Sequence, residues 1–324
     1  MKCRRCRAPA IIDLRRHNAG FCRDCFLHHF REQVRRAIKQ HAMFDPDDRV
    51  LVAVSGGKDS LALWDVLTEL GYQVDGLYLG LGIGDYSDDS GRSVREFAKG
   101  RAGRLIEVEL AADYGFDVPT GAAATRRAPC GTCGLSKRHL FNDVARREGY
   151  DVVATGHNLD DEAAVLFGNV LRWETSYMGR QSPVLPVTDG FARKVKPLFR
   201  LGERETAAYC VLRGIDYQVE ECPMAAGNRH LGYKEILDEL ERRSPGSKAA
   251  FLFGFFDRGR APFQAAVDEE RAALGACTEC GAPTPGETCA FCRLRRRACG
   301  DDVIHEDSSR PGTAAVPVQL RVRS

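Results

Sequence analysis

An apolar strand that runs straight into a glycine turn and then into a helix limits the folds open to this chain. The segment "RVLVAVSGGKDSLALWDVLTEL", residues 49–70, has this pattern. Further apolar strands are predicted at 73–81, 104–110 and 150–158, with helices at 87–102, 134–149 and 159–172. This alternation predicts an α/β fold, a doubly wound parallel sheet covered by helices on both faces.

Most of the thirteen cysteines fall into two sets with metal-ligand spacing. The first set reads C-x2-C-x15-C-x2-C and the second reads C-x2-C-x8-C-x2-C. Four thiolates close a tetrahedron around one zinc ion and leave no position open for substrate. We therefore expect two structural zinc sites, zinc 1 on Cys3, Cys6, Cys22 and Cys25, and zinc 2 on Cys277, Cys280, Cys289 and Cys292.

The distribution of charge points to a polyanionic partner. Residues 1–41 carry eleven Lys or Arg and three Asp or Glu, a net +8, whereas the whole chain carries +2. Clustered cations displace counterions from phosphates, although a solvated helix face would show the same excess. No apolar run approaches the roughly 18–20 residues that span a bilayer. The N-terminal "MKCRRCRAPA" lacks the apolar stretch of a secretion signal, so we expect a cytoplasmic protein without membrane contact.

These features divide the chain into five parts. We predict an N-terminal four-cysteine zinc finger at 1–27, a linker helix at 28–48, the α/β domain at 49–270, a C-terminal four-cysteine zinc finger at 271–297 and a disordered tail at 298–324. The helix that enters the linker has Phe26, Phe30, Val34 and Ile38 at helical spacing, with arginines opposite. The tail is polar and rich in turn residues.

The turn after the first strand of the α/β domain has the composition of a phosphate-binding loop. Glycines let the backbone approach a ligand, and backbone N–H groups at a helix N-terminus hold anionic oxygens. A lysine adds charge, two serines add hydroxyl donors, and an aspartate suits orientation of the loop or a Mg²⁺ ion. The Walker pattern G-x4-G-K-S/T is absent, which excludes an ordinary P-loop NTPase. The predicted nucleotide contacts are Ser55, Gly56, Gly57, Lys58, Asp59 and Ser60.

A second polar turn, "ATGHNLDDEA", joins a later strand to a helix. Ligands of doubly wound sheets bind beyond the carboxyl ends of strands, so both turns can face one nucleotide, with residues 79–84 as a wall for adenine. Gly156, His157 and Asn158 are the predicted contacts, and Asp161 is the expected contact to Mg²⁺ or substrate. Ordinary capping of the helix dipole by its first acidic residues is the alternative.

A further C-x2-C pair, Cys130 and Cys133, stands alone in "TRRAPCGTCGLSKRHLFN". We expect it to precede a helix that begins near Leu135. The arginines and the lysine around the pair should lower the pKa of its thiols. A thioredoxin-like redox pair is disfavoured by the phosphate loop.

Cys222, in "VEECPMA", supplies a third sulfur. Three cysteines cannot saturate a tetrahedral zinc, but they can hold an iron–sulfur cluster with one iron left open. Two catalytic thiols that pass a persulfide, and a zinc with an outside fourth ligand, are the alternatives.

Together these motifs resemble a known family. SGGKDS after a first strand is similar to the loop of N-type ATP pyrophosphatases, which adenylate a substrate. The order of zinc module, SGGKDS, "APCGTCGLSKRHLFN", "GHNLDDEA", "ECP" and second zinc module, over residues 1–297, looks like the TtcA/TtuA family of tRNA 2-thiolating enzymes. "GLSKRHLFN" is more similar to the TtuA branch, the two-zinc-finger 2-thiouridine synthetases that act on the T-loop.

The resemblance implies the cofactors and the site. They are ATP, Mg²⁺, two Zn²⁺ and a [4Fe–4S] cluster on Cys130, Cys133 and Cys222, with Lys137 and Asp161 as catalytic residues. It implies tRNA as substrate, and sulfur from a ubiquitin-like carrier with a C-terminal thiocarboxylate or from free sulfide. A homodimer is compatible with the pattern.

The implied reaction is adenylation of C2=O of 5-methyluridine 54 and replacement of its oxygen by sulfur, giving 2-thiouridine. Thiolation of wobble uridine 34 or of cytidine 32 would use the same chemistry. An adenylating amine transferase of the lysidine-synthase type is a rival, but amine transfer needs no thiols. A nucleic-acid-binding zinc protein with a disused nucleotide site is the third interpretation, and the intact SGGKDS disfavours it.

Overall fold

A central sheet with helices on both faces carries two small cysteine-rich modules. The computed structural model describes residues 1–187, 190–225, 227–264, 274–300 and 321–323. Its strands are β1 Ile12–Leu14, β2 Ala19–Phe21, β3 Arg49–Val54, β4 Gln73–Gly80, β5 Leu105–Glu109, β6 Val152–Thr155, β7 Val184–Leu185, β8 Arg193–Val195, β9 Gly275–Ala276, β10 Pro283–Thr284 and β11 Arg321–Arg323.

Seven strands form the central sheet, in the order β11-β5-β4-β3-β6-β8-β7. Strands β5, β4, β3, β6 and β8 run parallel to one another. The two edge strands, β7 and β11, are antiparallel to their neighbours. The predicted parallel sheet is thus confirmed at its centre and corrected at its edges, where a short connection from β7 to β8 and the returning end of the chain each add one antiparallel strand.

The helices of the described residues are longer or start earlier than predicted in several places. They are α1 Arg23–Gln40, α2 Lys58–Glu69, α3 Gly84–Ala98, α4 Leu110–Tyr114, α5 Val118–Thr125, α6 Pro129–Arg147, α7 Leu159–Leu171, α8 Thr175–Arg180, α9 Glu203–Arg213, α10 Arg229–Arg243, α11 Ser247–Gly254 and α12 Ala290–Cys299. Short 3-10 turns occupy Arg15–His17 and Pro223–Ala225, and a π-helical turn occupies Phe255–Gly259. No helix among these is long and apolar enough to cross a bilayer.

Helix α6 differs most from its prediction. It begins at Pro129 rather than near Leu135, so Cys130 and Cys133 lie in its first turns instead of in a preceding loop. Proline is favoured at the first position of a helix because its missing N–H has no helical partner there. The polar loop expected before the C-x2-C pair contains α4 and α5, the latter capped by Asp117, whose carboxylate accepts from Thr120 N at 2.7 Å.

Side chains of β3 alternate between two cores, which is what a sheet covered on both faces requires. Val50 and Val52 pack with Trp64 of α2 and with residues of α1 and α9 on one face. Leu51 packs with residues of α6 and α12 on the other face. The strand is almost continuously buried, as expected for a parallel sheet between helical layers.

The cysteine-rich modules dock on opposite faces of the sheet. In the N-terminal module β1 pairs with β2, and α1 then buries Phe26, Phe30 and Val34 as predicted. Phe30 stacks on Tyr209 of α9 with ring centroids 4.1 Å apart. In the C-terminal module β9 pairs with β10, and α12 packs on α5 and α6.

The tail predicted to be disordered is ordered at both of its described ends. Residues up to Cys299 continue α12, and Arg321–Arg323 form β11 against β5. An unpaired edge strand presents free N–H and C=O groups, and β11 covers those of β5. Residues 301–320 of the tail, and the predicted boundary at 270/271, lie outside the described residues.

One glycine of the sheet is fixed by its contact with the core. Gly76 of β4 lies under the ring of Trp64, which is fully buried, and a Cβ at position 76 would overlap that ring. We expect Gly76→Ala to lower the free energy of unfolding by about 1–3 kcal/mol, the usual cost of overpacking a core. Urea unfolding measures it. Gly232→Ala, on the exposed face of α10 with no atom within 4 Å, is the matched control and should be neutral or slightly stabilising. Equal stability of the two variants would contradict the prediction.

Candidate active site

A cleft of about 350 Å³ opens at the carboxyl ends of β3, β4 and β6. Both predicted polar turns reach it, because β3 and β6 are neighbours in the sheet. Leu79, Leu81 and Tyr86 form part of its apolar wall, the two leucines within the segment expected to face adenine. The predicted site residues that line the cleft are Ser55, Asp59, Ser60, Lys137, Gly156, His157 and Asp161.

The phosphate-loop backbone is held by hydrogen bonds of its own. Gly56 has φ of +78°, and a Cβ there would lie 2.8 Å from the Ser90 carbonyl oxygen, so only glycine fits. Ser90 Oγ donates to Ser55 O at 2.6 Å. Ser60 Oγ accepts from Ser55 N at 3.1 Å and donates to Gly57 O at 2.9 Å. The Ser60 hydroxyl therefore shapes the loop, whereas we had expected it to donate to a phosphate.

The two turns touch through Gly156. A Cβ at this position would lie 2.9 Å from the carbonyl carbon of Asp59 and from Ser60 N. Such a distance is shorter than real Cβ atoms show, so the end of β6 can pass the first turn of α2 only because residue 156 is glycine. Gly156 thus allows the backbone at the end of β6 to pack directly against the backbone of Asp59 and Ser60.

The Asp59 carboxylate connects three elements. It accepts from Asn158 Nδ2 at 3.1 Å, from Thr206 Oγ1 at 2.5 Å and from Lys58 Nζ at 2.9 Å. These donors belong to the N-terminal ends of α7, α9 and α2. Asp59 therefore orients the loop, one of the two roles expected for it. Thr206 was not found from the sequence, because it lies 147 residues away from Asp59 in an ordinary helical stretch.

Asn158 is a helix cap rather than an open contact. Its side chain is fully buried, and Oδ1 accepts from the backbone N–H groups of Asp160 and Asp161 at 2.9 and 3.1 Å. Asp161 Oδ2 in turn accepts from Asn158 N at 3.1 Å, which completes a capping box. Asn158 thus positions this turn, and its predicted nucleotide contact stays a prediction. Asp161 also caps α7, which is the alternative role predicted for the acidic residues of this turn.

Lys234 of α10, which the sequence did not single out, pairs with the other oxygen of Asp161. Its Nζ lies 2.6 Å from Asp161 Oδ1 and also contacts Glu203. Burial alone would raise the pKa of Asp161, but the ammonium of Lys234 outweighs it and holds that pKa below the ordinary value. Asp161 is therefore an ionised carboxylate at the edge of the cleft, and Lys234 carries a raised pKa.

His157 is open to the cleft and is held by a neighbour. Its Nδ1 lies 2.8 Å from Thr155 Oγ1. The surrounding protein displaces bulk water and lowers the pKa of the imidazole, and the cations of Lys196 and Lys137 lower it further. The ring is consequently neutral at neutral pH, suited to hydrogen bonding rather than to holding charge.

The segment that carries Cys222 is attached to the phosphate loop. Gln218 N donates to Gly56 O at 2.9 Å, and Gln218 Nε2 donates to Tyr86 O at 3.1 Å. Four residues later Cys222 enters the 3-10 turn Pro223–Ala225. Burial raises the pKa of Tyr86, and the sulfurs of Cys222 and Cys133 raise it further, so this residue of the cleft wall interacts with both thiols.

Cys130 and Cys133, in the first turns of α6, lie beside the turn that follows Cys222. Cys130 Sγ lies 3.4 Å from Met224 O, across 94 residues of chain. Cys130, Cys133 and Cys222 interact electrostatically with one another, and Lys137 acts both on Cys130 and on His157 of the cleft. Sulfurs from two distant segments of the chain, α6 and the segment that Gln218 ties to Gly56, are therefore brought together.

The expected lowering of the thiol pKa is wrong for Cys130. Partial burial raises its pKa, and the charges of Cys133 and Cys222 raise it further, more than Lys137 lowers it. A group of three neighbouring thiols cannot carry three negative charges unless a cation lies among them. This environment favours metal ligation, which releases the thiol protons, over a free nucleophilic thiolate.

The three sulfurs suit a cluster better than one ion. Among the described residues, Cys130, Cys133 and Cys222 do not belong to a set whose ligand atoms all lie within 4.8 Å, whereas each predicted zinc set does. A cubane cluster is wider than a single ion and takes cysteine ligands that stand farther apart. The chemistry of the donors, three neighbouring thiols with no fourth cysteine in the group, fits a cluster with one iron lacking a protein ligand.

Both predicted zinc sets have the geometry of a tetrahedral site. Cys6 Sγ and Cys22 Sγ are 3.5 Å apart in the first, and Cys280 Sγ and Cys289 Sγ are 3.7 Å apart in the second. A Zn–S distance of about 2.3 Å gives tetrahedral edges of about 3.8 Å. None of these eight cysteines forms a disulfide.

The close approach at Gly156 gives a test of the site. In Gly156→Ala the new methyl group must push the first turn of α2 away, at a cost of about 1–3 kcal/mol. If the displaced loop binds ATP correspondingly less well, affinity falls about 10- to 100-fold. Isothermal titration with a non-hydrolysable ATP analogue measures it. Gly286→Ala, which meets no atom within 4 Å, should bind like the wild type. Unchanged affinity in Gly156→Ala would show that the contact does not shape the site.

Comparisons with known proteins agree with this arrangement. A family model described as the N-terminal LIM domain of the 2-thiouridine synthetase TtuA matches residues 2–27. A protein of Thermus thermophilus named tRNA-5-methyluridine(54) 2-sulfurtransferase is 51% identical over 294 residues, 91% of each chain. One of the same name from Pyrococcus horikoshii is 39% identical over 296 residues, 91% of this chain and 93% of the relative.

A solved structure shares the fold. The U34-tRNA thiolase NcsA from Methanococcus maripaludis, determined with its [4Fe–4S] cluster, superposes with a TM-score of 0.75 at 24% identity, over 96% of this chain and 99% of that one. The fold class and the family resemblance predicted from the motifs are confirmed. The chain belongs to the family of tRNA-5-methyluridine(54) 2-sulfurtransferases.

Proposed function

We propose that this protein is an ATP-dependent tRNA sulfurtransferase that converts 5-methyluridine 54 into its 2-thio derivative. One observation carries the proposal: the segment bearing Cys222 is hydrogen-bonded to the phosphate loop through Gln218 N and Gly56 O, 2.9 Å apart. Activation of a carbonyl and delivery of sulfur to it can therefore occur in one place. The family relationship supplies the substrate.

The first half of the reaction is adenylation of the base. The uracil C2=O is a poor electrophile, and its oxygen is a poor leaving group. Its oxygen attacks the α-phosphorus of ATP, pyrophosphate departs, and the oxygen becomes part of AMP, a good leaving group. Gly56, Gly57 and Lys58 would hold the departing pyrophosphate through backbone N–H groups and one ammonium. Asp161, an ionised carboxylate that lines the cleft, would hold Mg²⁺.

The second half replaces AMP by sulfur. A C–S bond forms at C2, the C2–O bond breaks, and AMP leaves with the original oxygen. Lys137 lines the cleft and acts electrostatically on Cys130, so its ammonium can offset the negative charge that develops at C2. Cys130, Cys133 and Cys222 would hold a [4Fe–4S] cluster, which would supply an iron site able to bind sulfur.

The surface beside the thiols is suited to RNA. Helix α12 exposes Arg293 and Arg296 and packs on α6, with Phe291 stacked on His139 at 4.0 Å. Its arginines therefore lie beside the helix that carries Cys130 and Cys133. Folded RNA is recognised largely through shape and phosphates, which such arginines contact. A stacked uridine must leave its stack to reach the cleft, at a cost of a few kcal/mol.

The remaining partners belong to the same proposal. Two structural Zn²⁺ ions would hold the terminal modules, in which the sulfur spacing is tetrahedral. A ubiquitin-like carrier with a C-terminal thiocarboxylate, or free sulfide, would supply sulfur. We further propose a cytoplasmic location and assembly as a homodimer. We also propose the five-part domain division given above, apart from the two ends of the tail that form α12 and β11.

The function is tested by anaerobic reaction of the purified protein with ATP, Mg²⁺, sulfide and unthiolated tRNA. Nucleoside mass spectrometry should show 2-thio-5-methyluridine, and Cys222→Ser should lower it to background because one of three cluster ligands is lost. Cys299→Ser, at the exposed end of α12, is the matched control and should retain activity. Thiolation at position 34 or 32 instead would assign the protein to another substrate, and a gain of nitrogen would assign amine transfer.

The ion pair of Asp161 predicts a pH effect. The folded-state pKa of Asp161 lies below the ordinary carboxyl value, so the stabilising pair persists at neutral pH and is lost as pH falls through that lowered pKa. In Lys234→Met, burial remains without its compensating ammonium, and the pKa of Asp161 rises. We expect the acidic limb of kcat/KM against pH to move to higher pH, and Lys234→Arg to restore it. Identical profiles for the wild type and Lys234→Met would remove Asp161 from the chemistry.

A further inference from the structure

Two histidines and a glutamate form a group that shares no residue with the active-site cleft or with either cysteine set. His17 comes from the turn Arg15–His17, His29 from α1 and Glu205 from α9. One ligand atom from each lies within 4.8 Å of the other two. The group thus joins the N-terminal module to the α/β domain. Neither the sequence motifs nor the proposed reaction uses it.

The facing atoms of this group have no partner. His17 Nε2, His29 Nε2 and Glu205 Oε1 are inaccessible to solvent and make no hydrogen bond. His29 Nε2 lies 3.6 Å from Glu205 Oε1, too far for a hydrogen bond. Buried polar atoms are almost always paired, so three unpaired atoms that face one another indicate a ligand between them.

Contacts of Glu205 Oε2 and of the His29 ring hold both side chains in place and leave Glu205 Oε1 and His29 Nε2 without a hydrogen bond. Glu205 Oε2 accepts from Gly202 N at 2.9 Å and from the Arg16 guanidinium at 2.6 Å, which occupies that oxygen and turns Oε1 inward. The His29 ring stacks on Phe21 with centroids 5.0 Å apart. Such outer contacts orient metal ligands in proteins.

We propose that His17 Nε2, His29 Nε2 and Glu205 Oε1 bind a third zinc ion. Two imidazoles and one carboxylate are donors that suit zinc, at distances of about 2.0–2.2 Å. Three protein donors leave the fourth position of a tetrahedral zinc to a water molecule.

The position of the site indicates what the ion does. Glu205 precedes Thr206, whose hydroxyl donates to Asp59 of the phosphate loop at 2.5 Å. An ion that fixes α9 against the N-terminal module thereby fixes the helix end that orients Asp59. The site is a brace between the module and the α/β domain, with no place for the reacting base.

The metal content of the full-length protein tests the proposal. Protein equilibrated with excess Zn²⁺ and then desalted is analysed by mass spectrometry for zinc. Wild type should hold one zinc ion more per chain than His29→Gln or Glu205→Gln. His28→Gln, which changes the neighbouring histidine of α1, is the matched control and should match the wild type. Equal zinc content in all four proteins would overturn the proposal.

A second measurement needs no variant and so does not depend on their folding. Diffraction from wild-type crystals on either side of the zinc absorption edge should give an anomalous peak between the three ligand atoms, besides those of the two cysteine sets. Peaks at the cysteine sets alone would show that His17, His29 and Glu205 form a polar contact only.

Discussion

The carboxylate of Asp59 is the point on which the site depends. It receives hydrogen bonds from the side chains that begin α7 and α9 and from the lysine beside it. Without this acceptor the amide of the buried Asn158 would lose the acceptor of its N–H group, which costs more than the hydrogen bond itself contributes. Three helix N-termini are therefore held around the carboxyl edge of the sheet, where an anion is attracted to all of them.

Much of this could be predicted from sequence, because local rules determine it. The alternation of apolar strands and helices predicted the central parallel strands, and C-x2-C spacing predicted two groups of four cysteines whose sulfurs lie together. The glycines of the phosphate loop were identifiable for the same reason, since Gly56 must adopt a positive φ. Each of these features requires only a few consecutive residues.

The rest depends on contacts between distant parts of the chain. Lys234 and Thr206 sit in helices that look ordinary, and only the packing of α10 against α7 and of α9 against α2 brings them to Asp161 and Asp59. The pKa of Cys130 was expected to fall because its neighbours in sequence are basic. The pKa of Cys130 rises because the surrounding protein partly buries its thiol and because two other thiols lie nearby. The edge strand β11 is hard to predict for the same reason, because its partner β5 lies about two hundred residues earlier in the sequence.

The hydrogen bond from Gln218 N to Gly56 O also has a thermodynamic consequence. Gly56 belongs to the phosphate loop, and Gln218 leads directly into the turn that carries Cys222. If nucleotide binding shifts the Gly56 carbonyl, this hydrogen bond differs in strength between the free and the nucleotide-bound protein. The mobility of the segment that carries Cys222 then changes as well. Linkage is reciprocal, so occupation of the three thiols must alter nucleotide affinity by the same factor. Under that condition, this one backbone hydrogen bond couples nucleotide binding to occupation of the thiol group.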